Sequence, residues 1–392
     1  MNRIADQKIG PIAAARAMRS RHGLVFLDSA SQGNARISLL AAEPDLVVSG
    51  TDWDQLEQEL ARRKMAGCPD GAAIGCVAFD GTFHFGFYDR PHVFLPGSGR
   101  WKNPPKEYDF FPEDARTALD FRSRVERTDF LAMVVAAQEY IASGDIYQVC
   151  LSHPFEAPAD QPGAWRFFER LRQCSPAPYS AFLDFAEFRV ASASPECFLR
   201  MSGRAISTSP IKGTRPRRSS PSHDELSAQD LVTSPKEIAE LVMITDLERN
   251  DLGQVCEFGS VKVTELLRLE RYRQVFHLVS TVEGKLREEV SHVRALRECF
   301  PGGSISGAPK KRAIEVLREL EPFPRGLYTG AIGYFGYHGE SQFSIAIRTA
   351  IFEPGRTSFH AGAGIVTDSL PEHEWQETLD KASGLLLAAA KY

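Results

Sequence analysis

Strand-like runs and helical segments follow one another in an irregular order along this chain, and that order constrains the fold more than any other feature. The strand-like runs of the C-terminal part are Ala181–Phe185, Glu196–Met201, Ser260–Leu266, Thr329–Tyr334, Phe343–Phe352 and Ser358–Val366. The helical segments among them are Pro235–Leu247, Pro309–Glu319 and Pro371–Ala390. Because no regular βαβ period or internal repeat connects these segments, the sequence predicts an α+β fold rather than a doubly wound parallel sheet.

One stretch rich in proline, glycine and charge, Pro91–Pro112, divides the chain. It follows a region of short strands and helices, Pro11–Tyr88, and precedes a longer segment that is dense in motifs. Such composition is typical of a connector. We therefore predict an N-terminal α/β subdomain over residues 1–115 and a larger second domain, which contains the motifs, over residues 121–392.

Charge, hydropathy and cysteine content exclude several classes of protein. Lys and Arg number 46 and Asp and Glu number 51, a net charge of −5, so we expect no nucleic-acid partner. No apolar run approaches the roughly 18 residues that span a bilayer, and no apolar segment of a secretory signal follows Met1–Gly10. The 7 cysteines form neither a Cys-x-x-Cys pair nor a glycine-flanked nucleophile elbow, which is typical of reduced thiols in a cytoplasmic protein.

Two pairs of glutamates form the first candidate site. Ser234-Pro-Lys-Glu237 has the residues of a capped helix start, and Glu240 follows one turn later on the same face. In the last helical segment, Glu374 and Glu377 share a face with Lys381. A helix cap and an i,i+4 ion pair explain parts of this pattern without a metal. The alternative explanation is a metal site. Carboxylates on two facing helices would repel each other unless a hard cation such as Mg²⁺ lay between them.

The basic segment Pro210–Arg218 allows three interpretations. It is a solvated surface loop, a nucleic-acid patch, or the site of a lysine nucleophile at Lys212. The absence of interleaved aromatic residues disfavours the patch. A nucleophilic lysine requires an environment that makes its neutral amine available.

Glycine-rich turns occur at Pro301–Lys310 and Ala361–Gly364. Backbone N–H groups in such turns can bind anions, but neither turn matches a phosphate loop or a dinucleotide-binding fingerprint. Two single residues add to these candidates. His277 lies in the apolar run Val275–Val279, where a hydrogen-bonded core histidine is the simplest explanation. Arg348 follows the apolar run Phe343–Ile347 directly, and a buried arginine there favours an anionic partner or ligand.

Taken in order, these motifs resemble the chorismate-utilising enzymes, the family of the anthranilate synthase and aminodeoxychorismate synthase large subunits and of the isochorismate and salicylate synthases. The blocks that carry the resemblance run from about Phe121 to the C-terminus: Gly144–Gln148, Ser194–Glu196, Pro210–Thr214, Glu237–Leu252, His277–Gly284, Gly303–Lys310, Tyr328–Gly333, Ala346–Arg348, Ala361–Val366 and Pro371–Lys381. The resemblance implies the anthranilate synthase component I-like fold, with two large packed β-sheets, helices outside and the active site between the sheets.

The resemblance also implies roles at the matching positions. The groups implied to hold Mg²⁺ beside the ring carboxylate of chorismate are Glu240 and Glu377, with Glu237 and Glu374 close by. Those implied to bind the enolpyruvyl carboxylate are Tyr328, Arg348 and the backbone around Gly362 and Gly364. Those implied to line the ring-carboxylate side are Thr214, Ser304 and Lys381. Glu196 is implied to be the general acid for loss of the ring hydroxyl, and His277 is implied to lie beside the ring.

Two positions separate the branches of the family. Gln148 stands where isochorismate and salicylate synthases carry a lysine that activates water, which favours ammonia as the nucleophile. Lys212 stands where anthranilate synthases usually carry alanine, and it resembles the covalent nucleophile of aminodeoxychorismate synthases. The resemblance therefore implies formation of 4-amino-4-deoxychorismate, the precursor of p-aminobenzoate and folate, with anthranilate synthase component I as the alternative. An inactive regulatory or binding subunit is a further alternative, which the complete residue set disfavours.

The resemblance implies one partner and one regulatory site. Ammonia would come from a separate glutamine amidotransferase subunit, because this chain lacks the cysteine elbow that glutamine hydrolysis requires. Ser29, together with Pro178, Tyr179 and Ser180, resembles the tryptophan pocket of these large subunits. A strand and turn followed by a proline-containing loop explains the same residues equally well, and the short N-terminal region argues against regulation by tryptophan.

Overall fold

The computed structural model describes residues 9–28, 37–65, 70–105, 118–272 and 275–390. The helices in these ranges are α1 (Pro11–Ala17), α2 (Trp53–Met65), α3 (Arg127–Ala142), α4 (Ala164–Cys174), α5 (Pro221–Thr233), α6 (Pro235–Gly253), α7 (His292–Cys299), α8 (Lys310–Leu320) and α9 (Pro371–Ala389). A short 3₁₀ helix covers Gly303–Ile305. None of the helices in the described ranges is long and apolar enough to cross a membrane.

The strands form two antiparallel sheets. In spatial order, the first sheet contains β17 (Gly307–Ala308), β9 (Gln148–Ala157), β21 (Thr357–Ile365), β20 (Thr349–Phe352), β11 (Arg189–Ser194), β10 (Tyr179–Asp184), β1 (Val25–Asp28), β2 (Ser38–Ala41), β6 (His92–Leu95) and β7 (Arg100–Trp101), with β8 (Arg122–Ser123) paired to β9. The second sheet contains β14 (Ile211–Pro216), β16 (Val275–Lys285), β13 (Ala205–Ser209), β12 (Cys197–Ser202), β19 (Glu340–Ile345), β18 (Ala331–Gly336), β4 (Ala72–Val77), β5 (Phe83–Tyr88) and β3 (Leu46–Gly50), with β15 (Lys262–Arg271) paired to β16.

A buried apolar layer lies between the two sheets. Val25 and Leu183 of the first sheet pack in one cluster with Ile74 and Ile332 of the second. The outer face of the first sheet packs against α1, α4 and α9, and that of the second against α2 and α7. Each large apolar side chain buried in this way contributes roughly 1.5–3 kcal/mol. The prediction of an α+β fold with two packed sheets and outer helices is confirmed.

The N-terminal region contributes strands to both sheets. β1 pairs with β10, and β4 pairs with β18, so residues from both sides of the predicted boundary form the same ladders. Residues 106–117, which include the end of the predicted N-terminal subdomain, lie outside the described ranges, and the boundary itself stays a prediction. The two regions share their sheets and their apolar layers.

Two local predictions are wrong. The stretch Pro91–Pro112, predicted to be a connector, contains β6 and β7, which extend the first sheet as a hairpin beyond β2. The single run predicted over Phe343–Phe352 is two strands, β19 in the second sheet and β20 in the first. The chain crosses between sheets at residues 346–348, where Arg348 has a φ of 50°. Apolar composition alone does not reveal such a crossing, because both strands are buried.

Candidate active site

The predicted site residues meet at one end of the space between the sheets. β14 forms an edge of the second sheet, and β9 and β21 lie near an edge of the first. A Cβ atom built on Gly364 of β21 would lie 2.8 Å from Nε2 of Gln148 on β9 and 3.9 Å from Nζ of Lys212 on β14. Side chains from both sheets therefore face the same small space.

A bulge in β14 places Lys212 in this space. Lys212 is opposite Leu278 and Thr214 is opposite His277, with the register shifted at Gly213 between them. Gly213 has a φ of 71°, and a Cβ there would lie 2.6 Å from Leu231 and 2.9 Å from Glu237, so a larger residue would clash. Nζ of Lys212 donates a hydrogen bond to the backbone oxygen of Ser304 at 3.3 Å.

Glu196 is buried next to the same turn, with 6% of its surface exposed. Burial raises the pKa of Glu196 to about 7, although a hydrogen bond with Ser304 and the charge of Lys212 act in the opposite direction. The charge of Glu248 raises this pKa further. A carboxyl group with such a pKa holds a proton near neutral pH, as a general acid must.

His277 is buried on β16 and is held by a neighbouring hydroxyl. Its Nδ1 lies 3.0 Å from Oγ1 of Thr214 and 3.4 Å from the backbone oxygen of Gly213. Burial, followed by the charge of Arg348, lowers the pKa of His277 to about 4. The imidazole is therefore neutral at physiological pH and is already hydrogen-bonded.

The four candidate metal ligands lie on two helices that approach each other. Nζ of Lys236 lies 4.0 Å from Oε1 of Glu240 on α6 and 3.8 Å from Oε1 of Glu374 on α9. Nζ of Lys381 lies 2.6 Å from Oε1 of Glu377. Burial raises the pKa of Glu240, and the charges of Glu237 and Glu377 raise it further. Burial would raise the pKa of Glu377 too, but the positive charges of Lys381, Lys236 and Lys212 together lower it.

These carboxylates are chemically suited to Mg²⁺. Oε2 of Glu374 is buried without a hydrogen-bond partner among the described residues. Hard oxygen donors from two helices, one of them unpartnered, are the ligands that Mg²⁺ prefers. Within the described ranges no three acidic, histidine or cysteine side chains converge closely enough to bind one ion, and Lys236 provides the positive charge between the helices.

The start of α6 differs from the predicted capping box. Ser234 caps the helix and accepts a hydrogen bond from the backbone N–H of Glu237 at 3.5 Å, as expected. The carboxylate of Glu237 does not return to Ser234. It instead accepts a hydrogen bond from Nη1 of Arg215 at 3.2 Å, because the bulge in β14 brings Arg215 next to the helix start.

The basic segment that contains Lys212 is neutralised by acidic neighbours. Arg215 pairs with Asp230 at 2.5 Å, and Arg217 pairs with Asp224 at 2.8 Å. These pairs lie along α5, which packs beside β14. Two arginines of this segment are therefore paired with acidic side chains, and the expectation that the chain has no nucleic-acid partner stays a prediction.

The groups predicted for the enolpyruvyl carboxylate lie around β21. A Cβ on Gly362 would lie 2.8 Å from the hydroxyl of Tyr328, and Nζ of Lys381 donates a hydrogen bond to the backbone oxygen of Gly362 at 3.0 Å. Arg348 lies between β19 and β20 rather than on a strand, so its predicted placement on a strand is wrong. Burial lowers its pKa.

Gln148 is the most unusual polar side chain of the site. It is fully buried, and neither Oε1 nor Nε2 has a hydrogen-bond partner among the described residues. An unpartnered buried amide costs about 1–3 kcal/mol. Such a group is accounted for if a ligand satisfies it.

The residues predicted to form a tryptophan pocket are partly brought together. Pro178, Tyr179 and Ser180 line a pocket between the sheets with Leu27 and Asp28. Ser29 lies outside the described residues. The carboxylate of Asp28 accepts hydrogen bonds from Ser38 at 3.1 Å and from Arg172 at 2.5 Å. The pocket exists, and its binding of tryptophan stays a prediction.

Sequence reasoning missed several charged residues that support the site. Lys236 of α6 extends its amine towards Glu374 of α9, and its i,i+4 spacing to Glu240 could have indicated this role. Glu248 accepts a hydrogen bond from the backbone N–H of Gly303 at 3.0 Å under the turn that carries Ser304. Arg325 is 4% exposed. Its position between Pro324 and Gly326 gave no indication in the sequence that it would be buried next to the site.

Comparison with known proteins places this arrangement in a family. The family model described as chorismate binding enzyme matches residues 100–387. The chain belongs to this family of chorismate-binding enzymes. It is 39% identical over 364 residues to anthranilate synthase component 1 1 of Haloarcula marismortui, covering 92% of this chain and 72% of that protein. It is 43% identical over 275 residues to aminodeoxychorismate synthase component 1 of Bacillus subtilis, covering 68% of this chain and 56% of that protein.

Solved structures share the fold over nearly the whole chain. Anthranilate synthase component I from Streptococcus pneumoniae superposes with a TM-score of 0.78 at 30% identity, covering 98% of this chain and 99% of that one. The menaquinone-specific isochorismate synthase from Escherichia coli gives a TM-score of 0.83 at 20% identity, covering 98% of this chain and 92% of that one, a similarity of fold alone. The chain spans little more than half the length of most of the curated relatives that it matches.

Proposed function

We propose that this chain is the large subunit of an aminodeoxychorismate synthase. The observation that carries the proposal is the side chain of Lys212, which extends into the space between the sheets next to Glu196 and Gln148. A lysine at this place supplies a nucleophile that an alanine could not. The relative from Bacillus subtilis is named aminodeoxychorismate synthase component 1, and this supports the choice within the family.

The proposed reaction begins with attack of the neutral amine of Lys212 on carbon 2 of chorismate. Both conjugated ring double bonds shift, and the hydroxyl at carbon 4 leaves as water, with the proton supplied by Glu196. Ammonia then attacks carbon 4, both double bonds shift back, and the amine of Lys212 leaves from carbon 2. The new ammonium group at carbon 4 returns one proton to the carboxylate of Glu196. The new amino group ends on the carbon that lost the hydroxyl, giving 4-amino-4-deoxychorismate for p-aminobenzoate and folate synthesis.

Binding and orientation are proposed for the surrounding groups. Tyr328 and Arg348 would bind the enolpyruvyl carboxylate, and the neutral imidazole of His277 would lie beside the ring. Glu240 and Glu377, with Glu237 and Glu374 close by, would hold Mg²⁺, which would neutralise the ring carboxylate when bound. The residues proposed to line that carboxylate are Thr214, Ser304 and Lys381. Ammonia would be supplied by a glutamine amidotransferase subunit.

Anthranilate synthesis is the second candidate. The relative from Haloarcula marismortui, which covers 92% of this chain, carries that name. In that case ammonia would attack carbon 2 directly, Lys212 would be a bystander, and pyruvate would be released. The two products differ in the enolpyruvyl group, which only aminodeoxychorismate retains.

Product identification tests the proposal. Purified protein would be incubated with chorismate, Mg²⁺ and ammonium at alkaline pH, and the products analysed by mass and fluorescence. We expect a product in which an amine replaces a hydroxyl and which a lyase converts to p-aminobenzoate. Fluorescent anthranilate with released pyruvate would contradict the role of Lys212 and leave the family assignment intact.

A further inference from the structure

Arg325 lies in the turn after α8, and all of its donors are used. Its side chain is 2% exposed, and that of its partner Glu321 is 7% exposed. Nε and Nη2 donate to the two carboxylate oxygens of Glu321 at 2.8 and 2.7 Å. Nη1 donates to the backbone oxygen of Ile305 at 3.1 Å and to Oγ1 of Thr329 at 3.0 Å, and Nη2 also donates to the backbone oxygen of Cys150. A guanidinium carries five N–H groups, and these five hydrogen bonds account for all of them.

These contacts join three segments that carry proposed substrate-binding groups. Ile305 follows Ser304 directly, and Thr329 follows Tyr328 directly. Cys150 lies two residues after Gln148 on β9. The carboxylate of Glu321 adds a further link to β9, because its Oε1 accepts hydrogen bonds from both the backbone N–H and the hydroxyl of Ser152, at 2.8 and 2.9 Å.

The turn that carries Tyr328 needs such support. Thr329 has a φ of 60°, a conformation that β-branched residues rarely adopt. The hydrogen bond from Arg325 holds the Thr329 hydroxyl directly, and the guanidinium carbon lies 5.7 Å from the centre of the Tyr328 ring. Strained turns persist where the surrounding contacts fix them, and they cluster at binding sites.

We propose that Arg325, braced by Glu321, is a positioning residue that fixes Tyr328 and Ser304 relative to β9, so that both carboxylates of the substrate meet preformed binding groups. This inference rests on the proposed function for the identity of the substrate. Stability alone is a weaker explanation, since a buried ion pair repays its desolvation only partly and apolar residues often replace one without loss. Five directed contacts from one planar group instead define a geometry, which lysine cannot reproduce.

The test is a double-mutant cycle on chorismate consumption, measured independently of product identity. Arg325→Lys keeps the charge but loses the fork of donors, and we expect KM for chorismate to rise about tenfold or more, the effect of losing a charge-assisted hydrogen bond to substrate, while kcat changes much less. Tyr328→Phe should raise KM as well. In the double variant the two effects should be clearly less than multiplicative, because Arg325 acts through Tyr328.

Controls separate positioning from general loss of structure. Arg189→Lys makes the same substitution in a half-buried ion pair between β10 and β11, in which Nε of Arg189 lies 2.8 Å from Oδ1 of Asp184, and it should leave KM unchanged. Glu321→Gln keeps an oxygen acceptor and provides a second variant if Arg325→Lys does not fold, and we expect a smaller rise in KM.

An unchanged KM in folded Arg325→Lys or Glu321→Gln, or multiplicative effects with Tyr328→Phe, would overturn the positioning role. Absence of chorismate consumption by the unmodified protein would instead contradict the proposed function, and chorismate affinity measured by calorimetry would then replace KM in the same cycle.

Discussion

Lys212 on β14 and Glu196 in the link between β11 and β12 contact the same residue. The amine of Lys212 donates to the backbone oxygen of Ser304, and the carboxyl of Glu196 forms a hydrogen bond with Ser304. The 3₁₀ turn Gly303–Ile305 therefore brings the proposed nucleophile and the proposed acid together. This turn is held from below by Glu248 and from the side by Arg325.

Replacing Lys212 by alanine should abolish covalent capture of the substrate. We expect formation of aminodeoxychorismate to fall by more than about 1,000-fold, as for loss of a covalent nucleophile, with product diverted towards anthranilate. Intact-protein mass spectrometry with chorismate and without ammonia checks the adduct directly. Lys102→Ala, in an exposed pair with Asp70, is a matched lysine control that should form the adduct normally. An unchanged product from Lys212→Ala would contradict the nucleophile role.

The pH dependence of the reaction should follow the proton on Glu196. Burial raises its pKa to about 7, and an acid acts only while it is protonated, so kcat at a fixed concentration of free ammonia should fall as the pH rises through about 7. Glu248 raises that pKa, so Glu248→Gln should move the decline to lower pH. Glu288→Gln, on an exposed residue outside the site, is the control. A decline that stays in place or moves to higher pH in Glu248→Gln would argue against Glu196 as the acid.

Removing a proposed metal ligand should abolish activation by Mg²⁺. We expect Glu240→Gln and Glu377→Gln each to lower Mg²⁺-dependent turnover by at least about 10–100-fold, the range seen even for outer ligands of metal sites. Glu372→Gln, on an exposed residue of the same helix α9, should respond to Mg²⁺ like the unmodified protein. Titration of activity with Mg²⁺ measures the effect, and full activation in Glu240→Gln would remove the metal assignment.

Glu240→Gln should also make the metal-free protein slightly more stable. The pKa of Glu240 is raised by burial and by neighbouring carboxylates, so its charge destabilises the folded state above that pKa. Neutralising it should raise the thermal midpoint, measured with a chelator present, by about 1–4 °C. The difference between the variant and the unmodified protein should shrink at low pH, where Glu240 is protonated in both states. A lower midpoint at neutral pH would contradict this electrostatic account.

A methyl group on Gly364 should block the site without unfolding the protein. The built Cβ meets only flexible side chains, Gln148 at 2.8 Å and Lys212 at 3.9 Å, so the fold can adjust. We expect Gly364→Ala to keep its thermal stability within about 0.5 kcal/mol and to lose roughly 100-fold in kcat/KM, as for small misplacements in an active site. Gly355→Ala, with nothing within 4 Å, should lose neither. Unchanged kcat/KM in Gly364→Ala would show that the substrate does not use this space.

Local signals in the sequence predicted the elements that carry the site. The cap and proline at Ser234 and Pro235 indicated the start of α6, and strand-like apolar runs in the sequence indicated β12 and β21. Motif order predicted that the glutamate helices, Lys212 and Gln148 would belong to one site. The break at Arg348 was not predicted, because the two buried strands on either side read as one apolar run.

The supporting residues could not be predicted because their roles depend on distant contacts. Arg325 acts through Cys150 and Ile305, which are 175 and 20 residues away in sequence. Lys236 reaches Glu374 on another helix. Periodicity and local spacing do not indicate which distant segments will contact a given charged side chain. The roles of such residues can therefore be identified only from the structure.

The sharing of sheets by the two regions of the chain limits how this enzyme can be divided or trimmed. A fragment that begins at residue 118 would lose β1 and β4, the partners of β10 and β18. β10 and β18, which are interior strands in the whole chain, would then become exposed sheet edges with unpaired N–H and C=O groups. Exposed edges of this kind promote association with other chains. Engineering that exchanges the N-terminal region must therefore supply replacement strands that pair with β10 and β18 in the same register.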